Sequence, residues 1–475
     1  MRDKPLLWAL LGLTVLRLIV AAMTPLSPDE AYYWVWSHAL APAYLDHPFM
    51  VALWIAAGTA SAGQTELGVR LLGPLGCLGA SWLLLDAGRR LFPGTSAGRV
   101  AVLLLNASLI LGVGSVIMTP DTPLLVFWTA TLWAAARLAT GGAAWWWLVA
   151  GMCAGLALDS KYTALFLWVG LGVWVVVTPS LRVWLRRWQP YAGGILGLAL
   201  FTPVLVWNAH HAWAGLLKQG GRVNDWQPQR AIGFLAELVG GQAGLATPVI
   251  FGLCMVGLAV AVRRGWRGSP AWSLLASFSA PPILVFLQHA IGDRVQGNWP
   301  AIIYPALALA AGGAALPRRW ITTGLAIGFG VTLLTYVQAT TQLLPLPPRF
   351  DPVSLRLAGW SSVAAQVADT GGDAGFLAVE GYAPASELAW WNLGPAPILG
   401  ADARWRLTTL PLMSVAGRSG LLVREGLDAR PPDAPFWSAA TRLGSIVRPG
   451  GTGRGFTLFR VTGADQARLA VLPGR

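Results

Sequence analysis

Long apolar runs, broken by short polar stretches, fill the first 340 residues of the chain. A helix crosses a bilayer with about 20 apolar residues. Runs of that kind fall at 6–23, 67–88, 99–117, 122–138, 144–158, 162–179, 191–207, 244–262, 271–289, 299–316 and 320–338. They predict a polytopic α-helical membrane protein of about 11 transmembrane helices. The run at 144–158 is short, so it is expected to tilt or to reach only part way. The first run carries no small-residue cleavage site and reads as a retained anchor. After residue 338 the pattern changes. L-P-L-P-P-R-F-D-P is a stiff, extended hinge, and nothing beyond it is long enough to span. A-G-F-L-A-V-E and G-L-L-V-R-E have the pattern of short buried strands, and 355–367 and 383–391 that of helices. The expected division is a membrane domain over 1–340 and a small α/β domain over 345–475.

The basic residues give this threading a direction. Arg2 and Lys4, then Arg89, Arg90 and Arg99, then Arg137, then Arg182, Arg186 and Arg187, then Arg263, Arg264 and Arg267, then Arg318 and Arg319 all fall on one side. The positive-inside rule makes that side cytoplasmic. An odd number of spans then puts the C-terminal domain outside, which for a bacterial inner-membrane protein is the periplasm. The chain is 55% hydrophobic and only 12% charged, against about 25% charged residues in soluble domains. The net charge of +13 does not suggest nucleic acid, because the arginines sit in short loops that face an anionic leaflet. Cys77, Cys153 and Cys254 lie inside apolar runs and read as small hydrophobes.

The other side carries the chemistry. All five histidines fall in or beside its loops, as do Asp29, Glu30, Asp46, Asp121, Asp159, Asp225 and Asp293. Of three lysines, Lys161 and Lys218 are outside. Charge near a membrane is costly and is usually retained for a task or a partner. Structural roles compete with functional ones at each position. Asp29 and Asp121 could cap helices that follow them. Lys161 could snorkel and pair with Asp159, and Arg17 could snorkel from the first span. The 26 tryptophans fit interface belts and bundle packing, with Trp34 and Trp36 as candidates for stacking on a sugar. Nothing has firm metal-ligand spacing, although Asp46 with a distant histidine leaves a divalent metal open.

P-D-E-A-Y-Y-W with Y-L-D-H-P resembles the first outer loop of the GT-C-fold integral-membrane glycosyltransferases, closest to the bacterial protein mannosyltransferase-like family that includes the lipid A aminoarabinose transferases. M-T-P-D-T-P-L, S-K-Y-T-A-L, Q-G-G-R, G-N-W-P-A and S-E-L-A-W-W follow in that family's order. Many relatives read D-H-P-P where this chain has Phe49. The resemblance implies transfer of a sugar from a polyprenyl-phosphate donor to a lipid, glycan or protein hydroxyl at the periplasmic face, with inversion. It implies Asp29 as general base and Asp121 as a second catalytic carboxylate. Glu30, Tyr33, Asp46, His47, Lys161, Arg17, Arg222, Arg294 and Asn298 are implied to bind substrates. His47 stands where the aminoarabinose transferases carry a phosphate-contacting lysine.

A lipid-linked sugar flippase or transporter is the main alternative. Its expected marks, inverted repeats and polar breaks at the midplane, are not evident in the sequence. A polysaccharide ligase or polymerase would be expected to lead with an arginine-rich outer loop instead of an acidic one. A non-catalytic scaffold with a sensing domain would tolerate loss of Asp29.

Overall fold

The computed structural model describes residues 3–221, 226–347, 350–432, 436–450 and 455–475. Two compact units emerge. The first comprises Met1–Ile19, Asp46–Val51 and Leu72–Thr335; the second comprises Val20–Leu45, Ala52–Leu71 and Tyr336–Arg475. The unit with the C-terminal domain thus also takes in most of the first outer loop.

Every predicted span is helical. Among the described residues, six helices are long and apolar enough to cross a membrane, or seven if Tyr162–Val177 and Pro179–Arg186, bent by 112°, count as one. The count stays below eleven because other spans are short or broken. The 99–117 run divides into Ala97–Ala107 and Leu109–Gly112, since Ser108 turns extended at φ −73°, ψ 148°. The 271–289 run is one of the six, although it divides into Pro270–Ser277 and Ala280–His289, where consecutive prolines restart the helix. Ahead of Pro248–Trp266 lies a helix the sequence reading missed, Ala231–Ala246. Its glycines and its Glu237 dilute the apolar signal.

Glycines set the closest helix approach in the first unit. A Cβ on Gly151 would meet the Gly193 carbonyl oxygen at 2.0 Å, and one on Gly155 would meet Gly197 Cα at 2.7 Å. Trp146–Leu158 and Trp188–His210 therefore pack backbone to backbone, as small residues permit between apolar helices.

The second unit holds a seven-stranded mixed sheet. Its strands are β1 (Leu377–Val379), β2 (Ile398–Gly400), β3 (Leu412–Ser414), β4 (Ser419–Glu425), β5 (Trp437–Val447), β6 (Gly455–Gly463) and β7 (Arg468–Val471), in the order β3-β7-β2-β1-β4-β6-β5. Central β1 pairs in parallel with β2 and β4 and is buried throughout. Phe376, Leu399, Leu422, Phe459 and Val461 form the core with Trp437. The expected strands at β1 and β4 and the helix Tyr382–Trp391 are present. The expected helix over 355–367 is instead divided into Pro352–Leu357 and Trp360–Gly371 by Gly359 at φ 83°.

Candidate active site

In the second unit, Ser27 opens the helix Pro28–Ser37 with a reciprocal capping box: its hydroxyl accepts from the Glu30 amide and its own amide donates to the Glu30 carboxylate. Asp29 is therefore inside the first turn and is not the cap. Glu30, expected to face an acceptor, is fully buried. Arg70 Nε and Nη2 donate to its two oxygens at 2.6 and 2.8 Å. The remaining Arg70 donors reach the Ala21, Thr24 and Pro25 carbonyls and the Thr24 hydroxyl. This guanidinium fixes the turn that presents Asp29, which stays half-buried.

The Tyr382 hydroxyl donates to Asp29 Oδ1 at 3.2 Å. Tyr382 opens its helix directly after Gly381, whose φ of 81° favours glycine. Arg404 lies over the Tyr382 ring at 4.3 Å and donates to the Tyr32 hydroxyl at 3.4 Å. Tyr32 and Tyr382 rings are 4.6 Å apart. Sequence reasoning missed Arg70, Tyr382 and Arg404. Tyr382 lies four residues before S-E-L-A-W-W, the segment that carried a resemblance, so only it had a nearby signal. Glu387, in that segment, is buried, and burial together with the Glu30 carboxylate pushes its own carboxyl well above the usual range.

In the first unit, Asp121 is the first residue of Asp121–Ala139, and its carboxylate does not cap the helix. Lys161 Nζ donates to both its oxygens at 2.8 and 2.9 Å, and Asn298 Nδ2 to one of them at 2.6 Å. The lysine expected beside Asp159 thus reaches Asp121, from a backbone held extended at φ −160°. Asp159 is buried, its carbonyl accepts from the Met50 amide at 3.0 Å, and Oδ1 has no hydrogen-bond partner among the described residues. Burial pushes its carboxyl up to about 7. Asp46 pairs with Lys218, and its carbonyl accepts from Gln219 at 2.6 Å. His47, next in sequence, is half-buried. Among the described residues no group of three or more His, Cys, Asp or Glu is placed to hold a metal ion.

This architecture has known relatives. Residues 46–207 match the dolichyl-phosphate-mannose-protein mannosyltransferase family. The lipid A galacturonosyltransferase RgtD of Rhizobium johnstonii is 27% identical over 383 residues, 77% of each chain. ArnT from Cupriavidus metallidurans superposes with a TM-score of 0.67 in its undecaprenyl-phosphate complex and 0.64 in its apo state, at 16% and 17% identity, over 96% of this chain and 98% of that one. The chain shares the GT-C fold of these membrane glycosyltransferases.

Other expected site residues have different surroundings. Arg17 is buried and donates to Asn106 Oδ1 at 2.8 Å and Cys77 Sγ at 3.0 Å, tying three helices of the bundle. Arg294 is two-thirds exposed and pairs with Glu237 at 2.6 Å. Tyr33 is buried beside Tyr32 and Trp36. Trp34 and Trp36, considered for sugar stacking, are fully buried: Trp34 donates to Gln64 at 2.7 Å, and Trp36 stacks on Tyr44 at 4.1 Å. Arg222 lies outside the described residues.

Proposed function

We propose that this protein moves a sugar from a polyprenyl-phosphate carrier to a hydroxyl of a lipid A-type glycolipid at the periplasmic face of a bacterial inner membrane. The observation that carries this reading is the Lys161–Asp121–Asn298 cluster. It fixes a buried ammonium, one of only three lysines in the chain, beside a helix N-terminus. Both favour an anion such as a lipid phosphate. Support for the acceptor comes from the name of the relative RgtD, and for the donor from the undecaprenyl-phosphate complex of ArnT. The orientation rests on the one-sided arginine clusters.

In this reading the acceptor oxygen attacks the anomeric carbon and Asp29 takes its proton. The bond from that carbon to the phosphate oxygen breaks, and prenyl phosphate leaves with the electron pair. Lys161 stabilises the charge gathering on the leaving phosphate. One displacement inverts the anomeric centre. The Tyr382 hydroxyl holds Asp29 in its rotamer. Asp46 and His47 remain candidate donor contacts, His47 as a cation only when protonated.

The test supplies labelled polyprenyl-phosphate sugars, galacturonic acid and aminoarabinose among them, to membranes that contain wild type or Asp29→Asn. Transfer to a lipid A acceptor by wild type, lost in Asp29→Asn with donor binding intact, supports the reading. Undiminished transfer by Asp29→Asn removes the assigned base. Donor crossing the bilayer without sugar transfer would favour a flippase instead.

A further inference from the structure

The helices Trp146–Leu158, Leu165–Val177 and Trp188–His210 border an open groove of about 220 Å³. Its lining includes Trp147, Gly151, Trp168, Gly172, Trp184 and Tyr191 and carries no charged side chain. Glycine backbone makes part of the floor. A Cβ on Gly172 would meet nothing within 4 Å, and one on Gly194 only the Trp168 ring at 3.6 Å.

One end of the groove is basic. After Val177 the chain bends by 112° into Pro179–Arg186. Leu181 of that turn is buried, Trp184 and Leu185 line the groove, and Arg182 and Arg186 are exposed. Arg187 follows, over the Trp184 ring at 5.3 Å. A segment with one apolar and one basic face lies in the plane of a membrane interface. No acidic residue occurs from Lys161 to Asn224, so these arginines have no carboxylate nearby in sequence. Trp147 is the second residue of the 13-residue helix that ends just before Asp159. At 1.5 Å per residue the groove's far end at Trp147 is therefore about 20 Å from Lys161, and its near end at Ala154 about 10 Å.

We propose that this groove holds an acyl chain of an anionic phospholipid, with Arg182, Arg186 and Arg187 on its phosphate. With the orientation given above, the lipid belongs to the cytoplasmic leaflet. The site is separate from the donor site, and its occupancy does not depend on turnover.

The experiment places the full-length protein in nanodiscs of photoactivatable-acyl phosphatidylglycerol or phosphatidylcholine and maps the crosslinks by peptide mass spectrometry. Labelling is expected to concentrate on peptides covering 165–194, with phosphatidylglycerol ahead of phosphatidylcholine. Arg186→Gln and Arg187→Gln each reduce that labelling by roughly fivefold and leave phosphatidylcholine labelling unchanged. Gly172→Leu, which fills the groove and suits a helix, removes labelling there and spares the other apolar helices. Even labelling of all apolar helices, or indifference to Gly172→Leu in a protein that melts like wild type, overturns the proposal. Displacement of phosphatidylglycerol by undecaprenyl phosphate at equimolar level also overturns it, because the groove would then be the donor's.

Discussion

Lys161 carries its charge in contact with a carboxylate, so an incoming phosphate has to compete with Asp121 for it. Lys161→Met is expected to lower kcat/KM for the donor by roughly ten- to hundredfold, the scale of a lost charge-assisted hydrogen bond. The loss should fall mainly on donor KM if the ammonium binds ground state and transition state alike. Asp121→Asn keeps the lysine and frees it, so its penalty should be smaller than that of Lys161→Met and not additive with it. A Lys161→Met variant with unchanged donor KM and kcat would remove the phosphate role. Asp159, two residues earlier, gives a pH signature. Its folded carboxyl is raised from 3.8 to about 7, so between those values the folded state holds a proton that the unfolded state has lost. Its contribution to stability is therefore full below about 3.8 and declines as pH rises to about 7. Melting of detergent-solubilised wild type from pH 4 to 7.5 should show that decline, and Asp159→Asn should flatten it.

Among the elements, the capped helix Pro28–Ser37 shows what was readable in the sequence and what was not. Asp29 and Glu30 were conspicuous as adjacent acids on an outer loop. Their difference was invisible, because the residue that separates them, Arg70, is 40 positions away. One acid turns inward to a guanidinium and the other stays half-exposed under a phenol from residue 382. The same limit applies to Lys161, whose neighbour in sequence was Asp159 but whose partner in space is Asp121. Apolar runs were legible because length and hydropathy are local. Ser108 and the Pro281–Pro282 breaks were not, since a run's composition does not tell how many residues a bundle leaves helical. In the sheet, β1 and β4 stood out as short unbroken apolar runs. By contrast, β5 is exposed along most of its length, and its pattern reads as polar chain. The buried Glu30–Arg70 pair predicts a large structural effect. Glu30→Gln strands the arginine charge and should cost about 3–5 kcal/mol of stability. Loss of activity in Glu30→Gln should therefore accompany loss of folded protein in a fluorescence-detected size-exclusion assay. A fully folded but inactive Glu30→Gln would instead restore a direct role at the acceptor.

For the whole molecule, the first outer loop belongs with the C-terminal sheet domain. Trp34 meets Trp390 at 5.0 Å and Tyr32 meets Tyr382 at 4.6 Å, so Pro28–Ser37 packs on Tyr382–Trp391 inside one compact unit. A chain ended after residue 343 retains every apolar helix yet loses these partners. It should insert into the membrane but show no sugar transfer, and its first outer loop should become protease-sensitive. Retained transfer by this truncation would assign the sheet domain a dispensable role. The order of the units along the chain has a further consequence. The backbone passes from one unit to the other after residues 19, 45, 51, 71 and 335. A gene crossover at the proline-rich hinge would import a foreign sheet while keeping the native helix that carries Asp29. Such a chimera inherits one half of each aromatic pair from either parent. Lineages of this enzyme are therefore expected to diversify by substitution within an intact reading frame, with Tyr32, Trp34, Tyr382 and Trp390 changing in concert, rather than by trading the C-terminal domain as a cassette.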